Sequence, residues 1–332
     1  MEKEAFLYQK LEDNQVRCVL CGHRCVIADG KYGVCQVRQN RGGVLHTLVY
    51  GSAISRSIDP IEKKPLYHFY PGSSAFSIAT LGCNFQCQWC QNWQIAQAPH
   101  TSGLSEVADT PPEQIVAQTR DSGSRSIAYT YTEPTIFFEY AYDTAVLARQ
   151  VGIANVYVTN GYMTPEMLDF FHPYLDAANV DLKAFRQRTY STYVGAGLNE
   201  VLDSMKQLKQ LGVWLEVTSL LIPGINDEPA EIKDMAGFIA EELGTDVPWH
   251  ISRFFPQYKL KNVPPTPEKT LQSAYQIGKA AGLKYVYMGN IHGESNTNCP
   301  ACGELLIPRT GYQIGEVKLT NGKCPSCGEV IA

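Results

Sequence analysis

Apolar runs that fit buried strands alternate along the chain with segments whose apolar residues recur at helical spacing. The first run, "AFSIATLG" at 75–82, ends at a glycine, and the second, "SIAYTYTEP" at 126–134, ends at a proline. Further strand candidates lie at 155–161, 177–185, 214–224, 249–255 and 285–290. Helical spacing is found between them at 135–152, 165–171, 200–211, 229–243 and 267–281. Repeated strand–helix units predict an α/β fold, a parallel (β/α) barrel that is partial or complete with helices on its outer face.

Polar residues collect where these predicted strands end. In parallel barrels the chemistry is located at the carboxyl ends of the strands, so side chains there are candidate site residues. The candidates are Glu133, Thr159, Asn160, Asp181, Lys183 and His250.

Length and net charge limit the domain organisation and the kinds of partner that we expect. The 332 residues suggest one large domain with smaller attachments, and 28 Lys and Arg against 33 Asp and Glu leave a formal net charge of −5. No global basic field is present to recruit nucleic acid or an anionic membrane. The charged N-terminus lacks an apolar signal core, and no window approaches the ~18 apolar residues of a membrane span, so we expect a cytoplasmic protein.

All eleven cysteines fall into three groups, and such clustering indicates metal sites rather than scattered buried thiols. A disulfide framework is not expected in a reducing compartment. The groups are Cys18, Cys21, Cys25 and Cys35; Cys83, Cys87 and Cys90; and Cys299, Cys302, Cys324 and Cys327. They predict a cysteine-rich metal-binding segment over 1–72, the barrel over 73–292 and a C-terminal ribbon over 293–332.

The last group consists of two C-x-x-C turns, "CPACG" and "CPSCG". Such turns present two thiolates each, and four thiolates form a closed tetrahedral site with no open position for chemistry. We therefore predict a zinc ribbon, with a rubredoxin-type iron site as the alternative.

The first group offers five candidate ligands, because His23 stands among the cysteines. A structural zinc needs four, and we interpret His23 as the surplus one. Zinc is the favoured metal, while an auxiliary iron–sulfur cluster stays open, since spacing does not separate the two.

The middle group lies on the loop after the first strand run. Three thiolates can hold three irons of a 4Fe-4S cube and leave the fourth iron without a protein ligand, although a zinc site completed from elsewhere is an alternative. With Trp89 directly before the last cysteine, this C-x-x-x-C-x-x-C loop resembles that of the radical S-adenosylmethionine (SAM) superfamily.

That resemblance implies a chemistry and a set of cofactor contacts. The amino and carboxylate groups of SAM would chelate the open iron, and one electron would cleave the sulfonium to methionine and a 5'-deoxyadenosyl radical, which abstracts a hydrogen atom. Glu133 would accept a hydrogen bond from the SAM amino group, although Tyr131 and Thr132 replace the two glycines usual before it. The remaining implied cofactor contacts are Trp89, Thr159, Asn160, the D-x-K pair Asp181 and Lys183, and His250.

A longer resemblance covers nearly the whole chain. The stretches "DPIEKKPLYHFYPGS" (59–73), "YTYTEPT", "VTNGY", "IPGIND" and "MGN", with the terminal "CPACG", are similar to the AmmeMemoRadiSam-system radical enzymes, relatives of pyruvate formate-lyase activating enzymes. This family implies a low-potential electron donor such as flavodoxin or ferredoxin, and Memo-like and AMMECR-like partner proteins. We expect residues 59–69 of the first stretch, "DPIEKKPLYHF", to line the barrel entrance, with a linker packed on the barrel as the alternative. The competing function is a zinc-dependent RNA- or protein-binding module without radical chemistry, for which the acidic net charge supplies no nucleic-acid footprint.

Overall fold

Two small antiparallel sheets open the chain in the computed structural model, which describes residues 2–104 and 107–331. Their strands are β1 (Lys3–Glu4), β2 (Tyr8–Lys10), β3 (Val16–Cys18), β4 (Val26–Ile27), β5 (Arg38–Arg41) and β6 (Val44–Thr47). The strand orders are β1-β6-β5 and β2-β3-β4. The four N-terminal cysteines therefore lie on and between the strands of this segment.

An eight-stranded sheet forms the centre of the molecule. Its strands are β7 (Ser55–Pro60), β8 (Ser74–Ala79), β9 (Ser126–Tyr129), β10 (Ala154–Thr159), β11 (Ala177–Asp181), β12 (Trp214–Leu221), β13 (Trp249–Arg253) and β14 (Val286–Gly289). They follow one another in chain order, and only β7 runs antiparallel to its neighbour. The predicted parallel α/β fold is confirmed. Within the described residues β7 and β14 are the two edges of the sheet, so the barrel is partial.

Helices follow most of the strands. They are α1 (Trp93–Ala96), α2 (Ala98–Thr101), α3 (Pro112–Asp121), α4 (Phe138–Gln150), α5 (Pro165–Phe171), α6 (Gln187–Thr189), α7 (Asn199–Gln210), α8 (Pro229–Phe238) and α9 (Glu268–Ala280). Short 3-10 turns occupy Ile61–Lys63, Pro134–Phe137 and His172–Tyr174, and π-helical turns occupy Tyr190–Val194 and Ile239–Leu243. The five predicted helices correspond to α4, α5, α7, α8 and α9, whereas α3 was not predicted. None of the described helices is long and apolar enough to span a bilayer.

The two faces of the central sheet bury different partners. The outer face packs against the helices. The inner face packs small side chains of four neighbouring strands against Ile61, Leu66 and Phe69. Burial on both faces explains why the strand runs are continuously apolar rather than alternating.

Residues 59–73 thus fill the inner face, and the expectation that 59–69 line the entrance was wrong. Lys64 is only 1% exposed, and its ammonium donates to Asp59 at 2.8 Å, while Lys63 donates to the other Asp59 oxygen at 2.7 Å. Ser77 and Tyr131 also donate to Asp59. The charges of this stretch are paired internally, so its composition does not indicate a solvated segment. The stretch also includes β7's last two residues, which places a strand of the central sheet inside the predicted N-terminal segment 1–72.

The C-terminal segment is docked on the sheet. Its strands are β15 (Thr297–Asn298), β16 (Leu305–Ile307), β17 (Arg309–Thr310) and β18 (Gln313–Ile314). Leu306 and Ile307 share a buried cluster with Tyr67, Tyr285 and Tyr287. Arg309, 1% exposed, donates to the Tyr67 carbonyl and lies 4.5 Å from that ring.

His68 ties the inner stretch to the end of the chain. Its Nδ1 lies 2.9 Å from the Ile331 carbonyl, which can only accept, so Nδ1 carries the proton and Nε2 accepts from the Tyr287 hydroxyl at 2.7 Å. Burial lowers the pKa of His68 to about 4. Neutral imidazole is therefore the form that holds the C-terminal end in place.

We predict that acid weakens the fold through His68. The folded state binds fewer protons than the unfolded state between the unfolded pKa near 6.5 and the folded value near 4, so stability is complete above pH 6.5 and falls as pH decreases, by about 3 kcal/mol over the window. Denaturant unfolding of anaerobic protein at pH 7 and pH 5 measures the part lost by pH 5. In His68→Gln the free energy of unfolding should depend less on pH. An equal dependence in both proteins would contradict the lowered pKa of His68.

Candidate active site

The loop that carries Cys83, Cys87 and Cys90 runs from β8 to α1. Gly82 begins it with φ of +100°, and a Cβ there would come within 2.8 Å of the Val37 side chain, so only glycine fits. The loop is anchored at its centre by backbone hydrogen bonds from residues 86 and 88 to the π-helical turn Tyr190–Val194, at 2.8 and 3.0 Å. These contacts hold the three cysteines at the carboxyl ends of the strands.

The three sulfurs are spread apart rather than gathered around one point. A metal ion needs several ligand atoms close to one another. Among the described residues, the ligand atoms of three or more His, Cys, Asp or Glu side chains come within 4.8 Å of one another only at the four C-terminal cysteines. A zinc ion with Zn–S bonds of about 2.3 Å needs sulfurs about 3.8 Å apart. The Cys83, Cys87 and Cys90 sulfurs do not all lie within 4.8 Å of one another, an arrangement compatible with an iron–sulfur cube, in which each sulfur binds a different iron.

Burial controls the protonation of these thiols. It raises the pKa of Cys83 well above its ordinary value and that of Cys87 to about 12. Without a metal both groups stay protonated at neutral pH, and the thiolates form when iron replaces the proton.

Asn160, a predicted cofactor contact, instead contacts the loop itself. Its amide donates to the Asn84 side-chain oxygen at 2.7 Å, and its nitrogen lies 3.9 Å from the Cys83 sulfur. The Phe85 amide donates to the same sulfur at 3.3 Å. Hydrogen bonds to a cluster sulfur raise its reduction potential, so these donors can tune a bound cluster.

Glu133 is held by several protein donors. It is 1% exposed, and its carboxylate accepts from the Thr135 backbone amide at 3.0 Å, the Thr135 hydroxyl at 2.6 Å, the Thr159 hydroxyl at 2.7 Å and the Asn160 backbone amide at 2.8 Å. Three of these bonds go to Oε1 and one to Oε2, so Oε2 keeps an acceptor position. Glu133 and Thr159 thus join the turn after β9 to the end of β10, and their contact with a cofactor stays a prediction.

Tyr131 occupies one of the two positions before Glu133 at which the resemblance led us to expect glycine. Its φ of +64° lies in the left-handed region, which costs a non-glycine residue energy. The Tyr131 hydroxyl bonds to Asp59 and to Ser57, and its carbonyl accepts from the Asn92 amide at 2.6 Å. Sequence reasoning missed Asp59 and Asn92, whose only signal was their position beside the motifs.

Asp181 and Lys183 form an ion pair at the end of β11, with 3.0 Å between the ammonium and the carboxylate. Burial by itself lowers the pKa of Lys183, but Asp181 and the nearby Cys87 outweigh it and raise the pKa overall. Asp181 keeps 37% of its side chain exposed. The pair therefore offers a fixed cation and an accessible carboxylate beside the cysteine loop.

His250 forms a buried pair with Glu216. It is 3% exposed, and its Nε2 lies 2.6 Å from a Glu216 oxygen. Glu216 also accepts from the backbone amides of Tyr67 and His68, at 3.0 and 2.8 Å. Burial alone raises the pKa of Glu216, but His250 and the other partners outweigh it and lower the pKa to about 2. The pair holds the inner stretch at Tyr67 and His68, and a cofactor contact for His250 stays a prediction.

Trp89 is likewise a packing residue. It is 4% exposed, and its ring centroid lies 6.3 Å from that of Tyr193 in the turn that anchors the loop. The ring is covered by protein, and its contact with a cofactor stays a prediction.

The C-terminal cysteines form a closed site. The Cys299 and Cys327 sulfurs lie 3.5 Å apart, and those of Cys302 and Cys324 lie 3.7 Å apart. These separations match the edge of about 3.8 Å expected of a metal tetrathiolate. The four residues could therefore hold one metal ion, and the geometry suits either zinc or iron.

We predict that Cys324→Ser destabilises the protein without changing the reaction. One lost ligand should lower the free energy of unfolding by more than about 2 kcal/mol, a fraction of the roughly 10–16 kcal/mol that structural zinc contributes in zinc-finger peptides. Thermal unfolding compares this variant with Ser326→Ala, an exposed change between the same cysteines. Full stability with one metal equivalent lost would show that the ribbon instead recognises a partner.

Comparison with known proteins agrees with this geometry. The family model of the radical SAM superfamily matches residues 77–236. An uncharacterized protein of Methanocaldococcus jannaschii is 46% identical over 92% of this chain and 91% of its own. A second protein of that organism, provisionally named a glycyl-radical enzyme activating enzyme, is 24% identical over 68% of this chain and 81% of its own.

Two solved structures share the fold. One is a radical SAM methyltransferase from Sphaerobacter thermophilus, with 17% identity, a TM-score of 0.52, and coverage of 66% of this chain and 67% of that one. The other is SuiB from Streptococcus suis bound to S-adenosylmethionine, with 12% identity, a TM-score of 0.51, and coverage of 64% and 49%. The motif, the sheet and the family match agree, and the chain belongs to the radical SAM superfamily.

Proposed function

We propose that this protein binds a 4Fe-4S cluster through Cys83, Cys87 and Cys90, cleaves SAM reductively, and removes a hydrogen atom from a protein or small-molecule substrate. The observation that carries this proposal is the position of the three cysteines, of which Cys87 is buried and the other two are partly buried, on a loop at the carboxyl end of a parallel sheet. Three protein ligands on a four-iron cluster leave one iron open for a ligand. The relative named for glycyl-radical enzyme activation supports a reaction of activase type.

When bound, the cluster and SAM supply one-electron chemistry that ends in a 5'-deoxyadenosyl radical. The chain's own residues hold and orient the reactants. Asp181 can accept from a hydroxyl or ammonium group of the cofactor, and Lys183 neutralises charge beside Cys87. Glu133 accepts from Thr159 and Asn160 and so joins the turn after β9 to the end of β10.

Zinc is our assignment for the C-terminal tetrathiolate, where it would act as a folding element. A low-potential donor such as flavodoxin or ferredoxin would deliver the electron, and Memo-like and AMMECR-like proteins would act in the same pathway. We place the protein in the cytoplasm, where reduced thiols are available for cluster assembly.

Anaerobic reconstitution tests the proposal. Wild-type protein should be brown, should hold about four more irons than a variant with alanine at all three motif cysteines, and should form 5'-deoxyadenosine and methionine when reduced with SAM. Colourless protein that contains only zinc after reconstitution would overturn the proposal and favour a zinc-dependent binding module.

Isotope transfer can identify the substrate. Deuterium-labelled candidates, including glycyl-radical partners and the Memo-like and AMMECR-like proteins, are incubated anaerobically with enzyme and SAM. The substrate is the candidate that delivers deuterium to 5'-deoxyadenosine.

A further inference from the structure

The four N-terminal cysteines surround a cavity. Cys18, Cys21, Cys25 and Cys35 all line it, together with His23 and Arg38. Cys18 lies on β3, and Cys35 precedes β5, so strands of two different sheets set its walls. The cavity is thus part of the folded segment and not a surface groove.

The sulfurs around this cavity are too widely spread for one metal ion. No three of these cysteines, nor His23 with two of them, lie mutually within 4.8 Å in the described chain, although the four C-terminal cysteines do. A zinc tetrathiolate needs sulfurs about 3.8 Å apart. The same structure therefore shows one cysteine set closed to the size of an ion and another that is not closed to that size.

Arg38 gives a second, independent observation. It lines the cavity and is 2% exposed, and one of its nitrogens pairs with Glu139. Its Nε and Nη1 are buried without a hydrogen-bond partner. A buried donor without a partner is costly, so this edge of the guanidinium indicates an anionic acceptor inside the cavity.

We propose that Cys18, Cys21, Cys25 and Cys35 hold a second 4Fe-4S cluster, in place of the zinc that the sequence favoured. Four thiolates and the cluster sulfides carry the negative charge that the free edge of Arg38 would meet. The four cysteines are enough to give every iron a protein ligand, so His23 is not needed in the ligand set, and its Nε2 donates to the Asn84 carbonyl at 2.8 Å. With a protein ligand on every iron, this cluster has no open position and does not bind SAM.

The second site touches the catalytic loop. A Cβ at Gly82 would lie 3.4 Å from the Cys35 carbonyl, and His23 bonds to the residue that follows Cys83. This contact places the two clusters in neighbouring loops. The proposal itself is independent of SAM cleavage, since it concerns the metal content of a separate site.

A variant with alanine at Cys83, Cys87 and Cys90 isolates the second site. After anaerobic reconstitution with iron and sulfide, the full-length variant should keep about four irons and four sulfides and show a reduced 4Fe-4S electron paramagnetic resonance signal that SAM does not change. Adding Cys25→Ser and Cys35→Ser should remove those irons and leave the C-terminal metal. Two equivalents of zinc and no iron in the first variant would overturn the proposal.

Wild-type protein decides the question if the variants fail to fold. About eight irons per chain, with two reduced cluster signals of which SAM perturbs one, would support the second cluster. About four irons with two zinc ions would refute it and leave the proposed function intact, whereas eight irons without 5'-deoxyadenosine formation would refute the function and leave the second cluster.

Discussion

Cys87→Ala is expected to abolish 5'-deoxyadenosine formation while the C-terminal metal stays bound. Cys87 is buried and is one of only three thiolates available to the cube, so its loss removes a covalent anchor that nothing nearby replaces. Chromatography of anaerobic reaction mixtures measures the product, and metal analysis counts iron and zinc in the same samples.

Gln91→Ala is the matched control for this variant, because Gln91 is an exposed neighbour of Cys90 in the same loop. It should retain the wild-type iron content and product yield. Continued SAM cleavage by Cys87→Ala would show that the cluster is held elsewhere and would overturn the central assignment.

Glu133→Gln is expected to lower the free energy of unfolding by roughly 3 kcal/mol or more, since bonds to a charged acceptor contribute about 1.5–3 kcal/mol each and the amide turns a donor toward existing donors. The shape is kept, so the effect reports the four hydrogen bonds and not packing. Denaturant unfolding measures it, with the exposed change Glu242→Gln as control.

Calorimetric titration with SAM separates this positioning role from direct contact. If Glu133 met the SAM ammonium, Glu133→Gln would weaken cofactor affinity and leave the stability unchanged. The structure leads us to expect the opposite result, a large loss of folding stability. Any loss of SAM affinity would then follow from displaced strand ends.

The strands of the central sheet were predictable because both of their faces are buried, which makes their sequences continuously apolar. β9 is the informative exception, because its run continues to Glu133 while the strand ends at Tyr129. The left-handed backbone at Tyr131 turns the chain, and tertiary contacts with Asp59, Ser57 and Asn92 support that turn. β7 was missed since its sequence, "SRSIDP", is polar and its charge is paired by Lys63 and Lys64.

The cysteine motifs could also be recognised from the sequence, because the spacing of the ligands within each motif is local. The environments of Glu133 and His250 could not, since their partners are backbone amides, hydroxyls and a carboxylate from distant segments. Sequence spacing cannot tell a strand-end carboxylate that awaits a ligand from one that already accepts from several protein donors. The separation of the N-terminal sulfurs likewise depends on how two sheets pack.

The bond between His68 and Ile331 has a consequence for synthesis of the chain. The two residues are 263 positions apart, and Arg309 reaches Tyr67 across 242 positions. A nascent chain on the ribosome therefore carries an unfinished inner face until Arg309 and Ile331 have left the exit tunnel. The emergence of this C-terminal cysteine segment, rather than the completion of the strand–helix units, is the moment at which this part of the fold can close.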